Sequence, residues 1–315
     1  MIPGLNLSSV NDFFIVGFEN LHNVWIVFFI VLLLIYMAIL AGNFLIILLV
    51  STTSCLQTPM YIFLSQLSLS DLVLTSTICP NTLLVIFNDG STISKVGCIT
   101  QLFTFSMSMA TECLLLTVMS YDRYVAICKP MRYVTTVNFT FCLKSIAFCW
   151  ASGSLLTILA TALIFGLDFC GSNVVVNHFF CDYGPLLHLS CSDTSVLEIL
   201  VVIIVTHETT IEMVFIFSTY VCIVRSVLKI STTTGKEKAF STCSSHLTVV
   251  CMCFGSLIAI YVSPSGKKTS TMNKVLSLLY TVVTPLLNPI IYSLKNQEIQ
   301  ITIVKRFNKL RRLLT

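Results

Sequence analysis

Charge is what this chain has least of. Asp, Glu, Lys and Arg make up only 10% of its 315 residues, while 56% are hydrophobic. Soluble domains carry about 25% charged residues, so a water-solvated domain is excluded. Proline (8) and glycine (12) are too sparse for a linker, and no internal repeat or low-complexity segment breaks the chain. Its five histidines, His22, His178, His188, His207 and His246, are scattered singly, which lacks the ligand spacing of a metallohydrolase. The net charge of +4 is small, and no nucleic-acid partner is expected.

What is present is apolar sequence in long runs. A hydrocarbon core of ~30 Å takes roughly 20 apolar residues as helix, and seven stretches qualify: 24–50, 60–80, 98–121, 145–167, 196–224, 239–263 and 274–294. The first, fourth and sixth contain no charged residue. The runs are continuous, without the alternation of a barrel strand. The expected fold is therefore an all-α membrane protein, a bundle of seven transmembrane helices. Three parts are expected: a tail over 1–23, the membrane domain over 24–294, and a second tail over 295–315. Residues 1–23 carry no Lys or Arg and no signal-peptide pattern, so the first helix is expected to act as its own targeting signal.

Basic residues choose the orientation. Arg123, Lys129, Arg132 and Lys144 follow the third span, and Arg225, Lys229, Lys236 and Lys238 follow the fifth. Lys295, Lys305, Arg306, Lys309, Arg311 and Arg312 follow the seventh. Only Lys95, Lys267, Lys268 and Lys274 lie opposite. The N-terminus is expected outside, with Asn6-Leu7-Ser8 as a glycosylation sequon, and the C-terminus in the cytoplasm of a plasma-membrane protein. Phe307, Leu310, Leu313 and Leu314 interleave with the basic tail, which reads as an amphipathic helix on anionic membrane lipid. Four of the fourteen cysteines, Cys98, Cys170, Cys181 and Cys191, fall at or in outer loops where oxidation is allowed. Four cysteines permit three connectivities, and the sequence does not choose.

Charges inside the bilayer cost roughly 2.5–3.5 kcal/mol each on insertion scales. Asp71 lies ~18 Å along its helix from Pro59, and Glu112 lies ~16 Å outward of Arg123, at 1.5 Å per residue. With Asn43 and Asn288 they make a hard-oxygen cluster suited to a small cation or shared protons, or to a packing network alone. Glu208 and Glu212 are four apart on the fifth span and share a face; Glu208 reads as a ligand-pocket acid or as an interhelical hydrogen bonder. Asp122-Arg123-Tyr124 closes the third span, where an arginine can exchange partners. Pro289 removes a backbone donor within the seventh span, one turn from Tyr292.

Together these residues resemble the rhodopsin-like G-protein-coupled receptors and, more specifically, their olfactory branch of tetrapod type. The general marks are Asn43, Asp71, Asp122-Arg123-Tyr124, Trp150 and Asn288-Pro289 with Tyr292. The olfactory marks are Thr58-Pro59-Met60-Tyr61 with Leu69-Ser70-Asp71, the run from Met119 through Cys128, Ser218 to Tyr220, Lys238 through Leu247, and Pro285-Leu286-Leu287-Asn288-Pro289. The loop from His178 to Asp193 is similar to family-six odorant receptors. Phe254 stands where many relatives have Tyr, Gln57 where His is usual and Ser120 where Ala is usual.

The resemblance implies a receptor rather than an enzyme. It would bind a small volatile odorant and activate a stimulatory, olfactory-type heterotrimeric G protein to raise cyclic AMP. It implies disulfides Cys98–Cys181 and Cys170–Cys191, and a sodium-type site at Asp71 and Glu112, with no other cofactor. The implied odorant pocket comprises Phe105, Ser106, Met109, Ala110 and Cys113; Ile204, Val205, Glu208 and Thr209; Phe254, Leu257, Ile258 and Tyr261; and Leu278 and Thr281. Asp122, Arg123, Tyr124, Tyr220, Pro289 and Tyr292 would form the switch facing the G protein. A receptor for a non-odorant ligand is the nearest alternative. A small-solute transporter is expected to show repeated, interrupted helices, and a retinal pigment a lysine within the last span, which 275–294 lacks.

Overall fold

The computed structural model describes residues 11–18, 24–169, 174–229, 232–262, 267–295 and 297–314. Side chains are described for these except at 233–235, 237–242, 260–262, 267–270, 294, 295, 297, 307 and 309–314. Five long helices come first: α1 (Trp25–Thr52), α2 (Pro59–Phe87), α3 (Lys95–Cys128), α4 (Phe139–Phe165) and α5 (Ser195–Leu228). Next is α6 (Thr233–Val262), then α7, which runs as Lys267–Leu278, a π turn Leu279–Val283 and Thr284–Lys295. The last helix is α8 (Gln297–Leu314).

Helices α1 to α5 and the Thr271–Ser293 part of α7 are long and apolar enough to cross a membrane, and α6 adds the shorter apolar stretch Cys243–Ala259. The chain is a seven-helix membrane bundle with a further C-terminal helix. Leu155 and Phe217 are each 71% exposed, a cost that only surrounding hydrocarbon removes. The helices outrun the expected spans because a cap or a proline, not the end of the apolar run, fixes a helix terminus. Pro59 starts α2 at a position where its missing N–H costs nothing. The Ser94 side chain accepts from the Gly97 N–H at 3.1 Å and starts α3.

Two contacts set the helix spacing. A Cβ on Gly153 of α4 would lie 2.7 Å from Thr111 Oγ1 and 3.1 Å from the Met107 carbonyl of α3. A Cβ on Gly42 of α1 would lie 3.1 Å from the Pro289 ring of α7. Small residues at such points let backbones approach closely. In α7 the irregular turn lies before Pro285, whose ring would clash with a regular helix's preceding carbonyl. The Thr284 hydroxyl donates to the Leu279 carbonyl at 3.1 Å, and Asn43 Nδ2 of α1 donates to the Pro285 carbonyl at 3.0 Å.

A three-stranded sheet covers the end of the bundle opposite α8. Strand β1 (Asp12–Ile15) lies between β2 (Ser91–Ser94) and β3 (Val174–Val176). It pairs antiparallel with β2, Phe13 opposite Ile93, and parallel with β3, Phe13 opposite Val174. Phe13 and Ile15 are fully buried, so the strand turns alternate side chains into the bundle. Strands this short give almost no periodic signal, and nothing in the sequence reading anticipated them.

Candidate functional site

The Cys98–Cys181 disulfide ties the start of α3 to the segment after β3, with the two Cα atoms 5.5 Å apart. Gln101, one turn further along α3, holds the same segment: its Oε1 accepts from the Cys181 N–H at 2.9 Å while its Nε2 donates to the Thr77 carbonyl at 3.0 Å. Cys181 is thus held both by its side chain and by its backbone N–H. Cys191 is also disulfide-bonded; Cys170, its expected partner, and Asn6 lie outside the described residues.

Beneath this tethered segment is a cavity of about 140 Å³. All five residues expected from the third span line it, Phe105, Ser106, Met109, Ala110 and Cys113, as do all four from the fifth, Ile204, Val205, Glu208 and Thr209. Of the sixth-span residues whose side chains are described, Leu257 alone reaches it. Ile258 is 48% exposed; one residue turns about 100° around a helix, so it faces outward. Phe254 is buried in the main core, Leu278 packs against that core, and Thr281 donates to the Ser277 carbonyl at 2.7 Å. None of these three lines the cavity, and the Tyr261 side chain lies outside those described.

Eight lining residues were outside the expected pocket set: Leu156, Thr157, Ala160, Asp182, Tyr183, Val201, Glu212 and Tyr280. Glu212 carried a signal, an acid within an apolar span on the face of Glu208. Asp182 and Tyr183 follow Cys181 and are brought over the cavity by its disulfide. Burial raises the Asp182 carboxyl to about 6, although the Tyr183 N–H bonded to it at 2.8 Å opposes the shift. The α4 residues had no signal, because small and aliphatic side chains suit lipid, core and cavity alike.

The roof also includes the strand. Lys274 of α7 is buried and donates to the Gly17 carbonyl at 2.6 Å and to Asn177 Oδ1 at 2.5 Å. His178 stacks on Phe179 with ring centroids 4.7 Å apart, and its Nε2 lies 3.3 Å from the Ser277 hydroxyl. Burial first, and then the nearby Lys274 charge, push His178 down to about 3.

Deeper in the bundle, Asn288 Nδ2 donates to both Asp71 oxygens, at 2.9 and 3.2 Å. Glu112 is 1% exposed, and its Oε1 has no hydrogen-bond partner among the described residues. The same holds for Asn43 Oδ1; the amide nitrogen of Asn43 is used on the Ile39 and Pro285 carbonyls. The unpaired Glu112 oxygen belongs to a carboxyl that interacts with Asp71, and two carboxyls buried together with the Asn288 amide fit a hard cation or a shared proton.

At the end of the bundle that meets α8, Arg123 Nε donates to Asp122 Oδ2 at 2.9 Å and its Nη2 also contacts that oxygen. Tyr133 donates to the other Asp122 oxygen at 2.8 Å. Tyr124 lies under Lys129 Nζ at 5.3 Å. Tyr220 of α5 pairs with His246 of α6, oxygen to Nδ1 at 2.7 Å, and His246 Nε2 lies 3.1 Å from the Leu116 carbonyl of α3. His246 thus joins α3, α5 and α6, a role its place in the sixth-span motif did not disclose. The Tyr292 hydroxyl is buried without a hydrogen-bond partner among the described residues.

Residues 32–309 match the sequence family described as olfactory receptor. The chain is 43% identical to the human protein Olfactory receptor 11L1 over 93% of its own length and 91% of the relative's. It is 42% identical to Olfactory receptor 5G25 of Mus musculus, over 96% and 95% of the two chains. To human Olfactory receptor 6J1 it is 42% identical, over 93% and 84%.

Proposed function

Because this chain belongs to the olfactory receptor family, we propose that its cavity binds small volatile molecules and that binding activates a stimulatory heterotrimeric G protein, raising cyclic AMP. An odorant-sensing, multi-pass receptor of the plasma membrane is what the family implies; it is not a family of enzymes. The observation that carries the ligand reading is the cavity itself. It is lined mainly by apolar side chains, is close in volume to one that admits benzene, and lies below a segment held by a disulfide. Burial of apolar surface, roughly 25 cal/mol per Å², suits a volatile with few polar groups. Met109 supplies a wall that repacks around different shapes.

Signal transfer follows from the contacts at the other end. Arg123 is held by Asp122, and Tyr220 and His246 join α5 to α6. A ligand that shifts α6 against α3 would strain the His246 link and free Tyr220, while Arg123 would have to exchange Asp122 for another partner. The Asp71, Glu112, Asn43 and Asn288 cluster lies between the two ends and would hold a sodium ion or a proton. The basic-residue asymmetry supports an outer N-terminus and a G protein docking beside α8.

A cyclic-AMP reporter screen of a chemically varied volatile library tests the reading. At least one volatile is expected to raise the signal in cells that carry the receptor at the surface. With that agonist, Arg123→Ala should abolish the rise and leave surface delivery intact; a preserved response would remove Arg123 from the switch.

A further inference from the structure

Three acidic side chains line the cavity, Asp182, Glu208 and Glu212, and among the described residues no basic one does. Asp182 is partly committed, since it accepts from the Tyr183 N–H. The other two are not. Glu208 is half-buried and Glu212 more than nine-tenths buried, and among the described residues neither accepts a hydrogen bond or forms an ion pair. The exposed imidazole of His207 is next to Glu208 in sequence, and its charge acts on that carboxyl without forming an ion pair. Two carboxyls four residues apart on one helix face are neighbours, with Cβ atoms ~5–6 Å apart.

A buried carboxylate without an ion-pair partner, as at Glu212, is costly, and a second carboxyl beside it adds to the cost. The ligand that removes most of that cost brings a positive charge and several donors. An ammonium group does both, with up to three N–H bonds directed at four carboxyl oxygens. A neutral alcohol or ketone satisfies at most one of the two acids. A carboxylate ligand would be repelled. The rest of the wall, Phe105, Met109, Ile204 and Leu257, is apolar and suits a short hydrocarbon.

We propose that the preferred ligands of this cavity are small volatile amines, bound as ammonium ions between Glu208 and Glu212 with their hydrocarbon against α3 and α6. The proposal rests on the odorant-receptor reading above and narrows it to one ligand class. An amine arriving as the free base takes its proton from a carboxyl, so the bound pair is ammonium and carboxylate with no other reactant required.

Cyclohexylamine, cyclohexanol, cyclohexanone and cyclohexanecarboxylic acid share one skeleton and isolate the head group. They should be compared by cyclic-AMP reporter on the wild type, Glu208→Gln and Glu212→Gln, with surface level measured for each. The amine should act at the lowest concentration. Either substitution should raise its half-maximal concentration about 30-fold or more, as for truncation of one partner of a buried charge pair, and should raise that of any active neutral compound much less. Should Glu212→Gln fail to reach the surface, Glu208→Gln, at the less buried site, gives the same reading. A wild type that answers the alcohol or ketone but not the amine overturns the proposal and leaves the odorant-receptor reading standing. So does an amine response that both substitutions leave unchanged. Silence toward these four and toward the whole volatile library would overturn both.

Discussion

At the scale of single residues, buried polar atoms without partners occur both in the proposed polar core and at packing positions such as Thr111 and Asn81. Tyr292, Glu112 and Asn43 each keep a buried polar atom unpaired among the described residues, and each such atom costs roughly 1–3 kcal/mol. His178 gives a prediction in pH. Its folded value is about 3 against an ordinary 6.5, so below pH 6.5 the unfolded chain takes up a proton that the folded chain refuses. Stability therefore falls as pH drops from about 6.5 toward 3, by up to about 1.4 kcal/mol per unit. Asp182 has the opposite sign: its folded value is about 6 against 3.8, so it favours the folded state more as pH drops through that window. The His178→Gln variant separates the two. Between pH 7 and 5.5 the melting temperature of the purified wild type should fall more than that of the variant, and equal falls would show that His178 does not resist charging.

At the scale of elements, backbones that nearly touch fix the packing of α4 on α3. A side chain at Gly153 would meet both the Thr111 hydroxyl and the Met107 backbone carbonyl, and the carbonyl cannot rotate away. Gly153→Val should cost about 1–3 kcal/mol, as overpacking does, and lower both melting temperature and surface level. A variant as stable as the wild type would mean that α4 shifts freely on α3. The sequence showed these helices plainly, since an apolar run long enough to span is a composition signal that packing does not alter. It did not show their ends, which Ser94 and Pro59 set, or the π turn before Pro285. The three strands were invisible, because four residues are too few for alternation to be recognised and their partners come from distant parts of the chain.

At the scale of the molecule, seven helices, a tethered roof and a polar core place a cavity between the disulfide and the Asp122–Arg123 pair. The third- and fifth-span walls of that cavity were implied by the resemblance to the olfactory branch, and the recurrence of Phe105, Met109 and Cys113 on one helical face and the acids within an apolar span agree with it. The sixth- and seventh-span walls were less legible. Neighbouring aliphatic residues such as Leu257 and Ile258 look alike until the rotation of the helix is known, and Tyr280 reaches the cavity while Leu278 and Thr281 do not.

On the proposed function, a volatile acts in this cavity. Ala110 lines it with a side chain of one carbon, so Ala110→Phe fills the space and leaves the switch residues untouched. The decisive measurement is the cyclic-AMP response of Ala110→Phe to every agonist found for the wild type, at matched surface level. All responses should be lost while basal signalling persists; a variant that answers the same agonists at the same concentrations would show that they bind elsewhere.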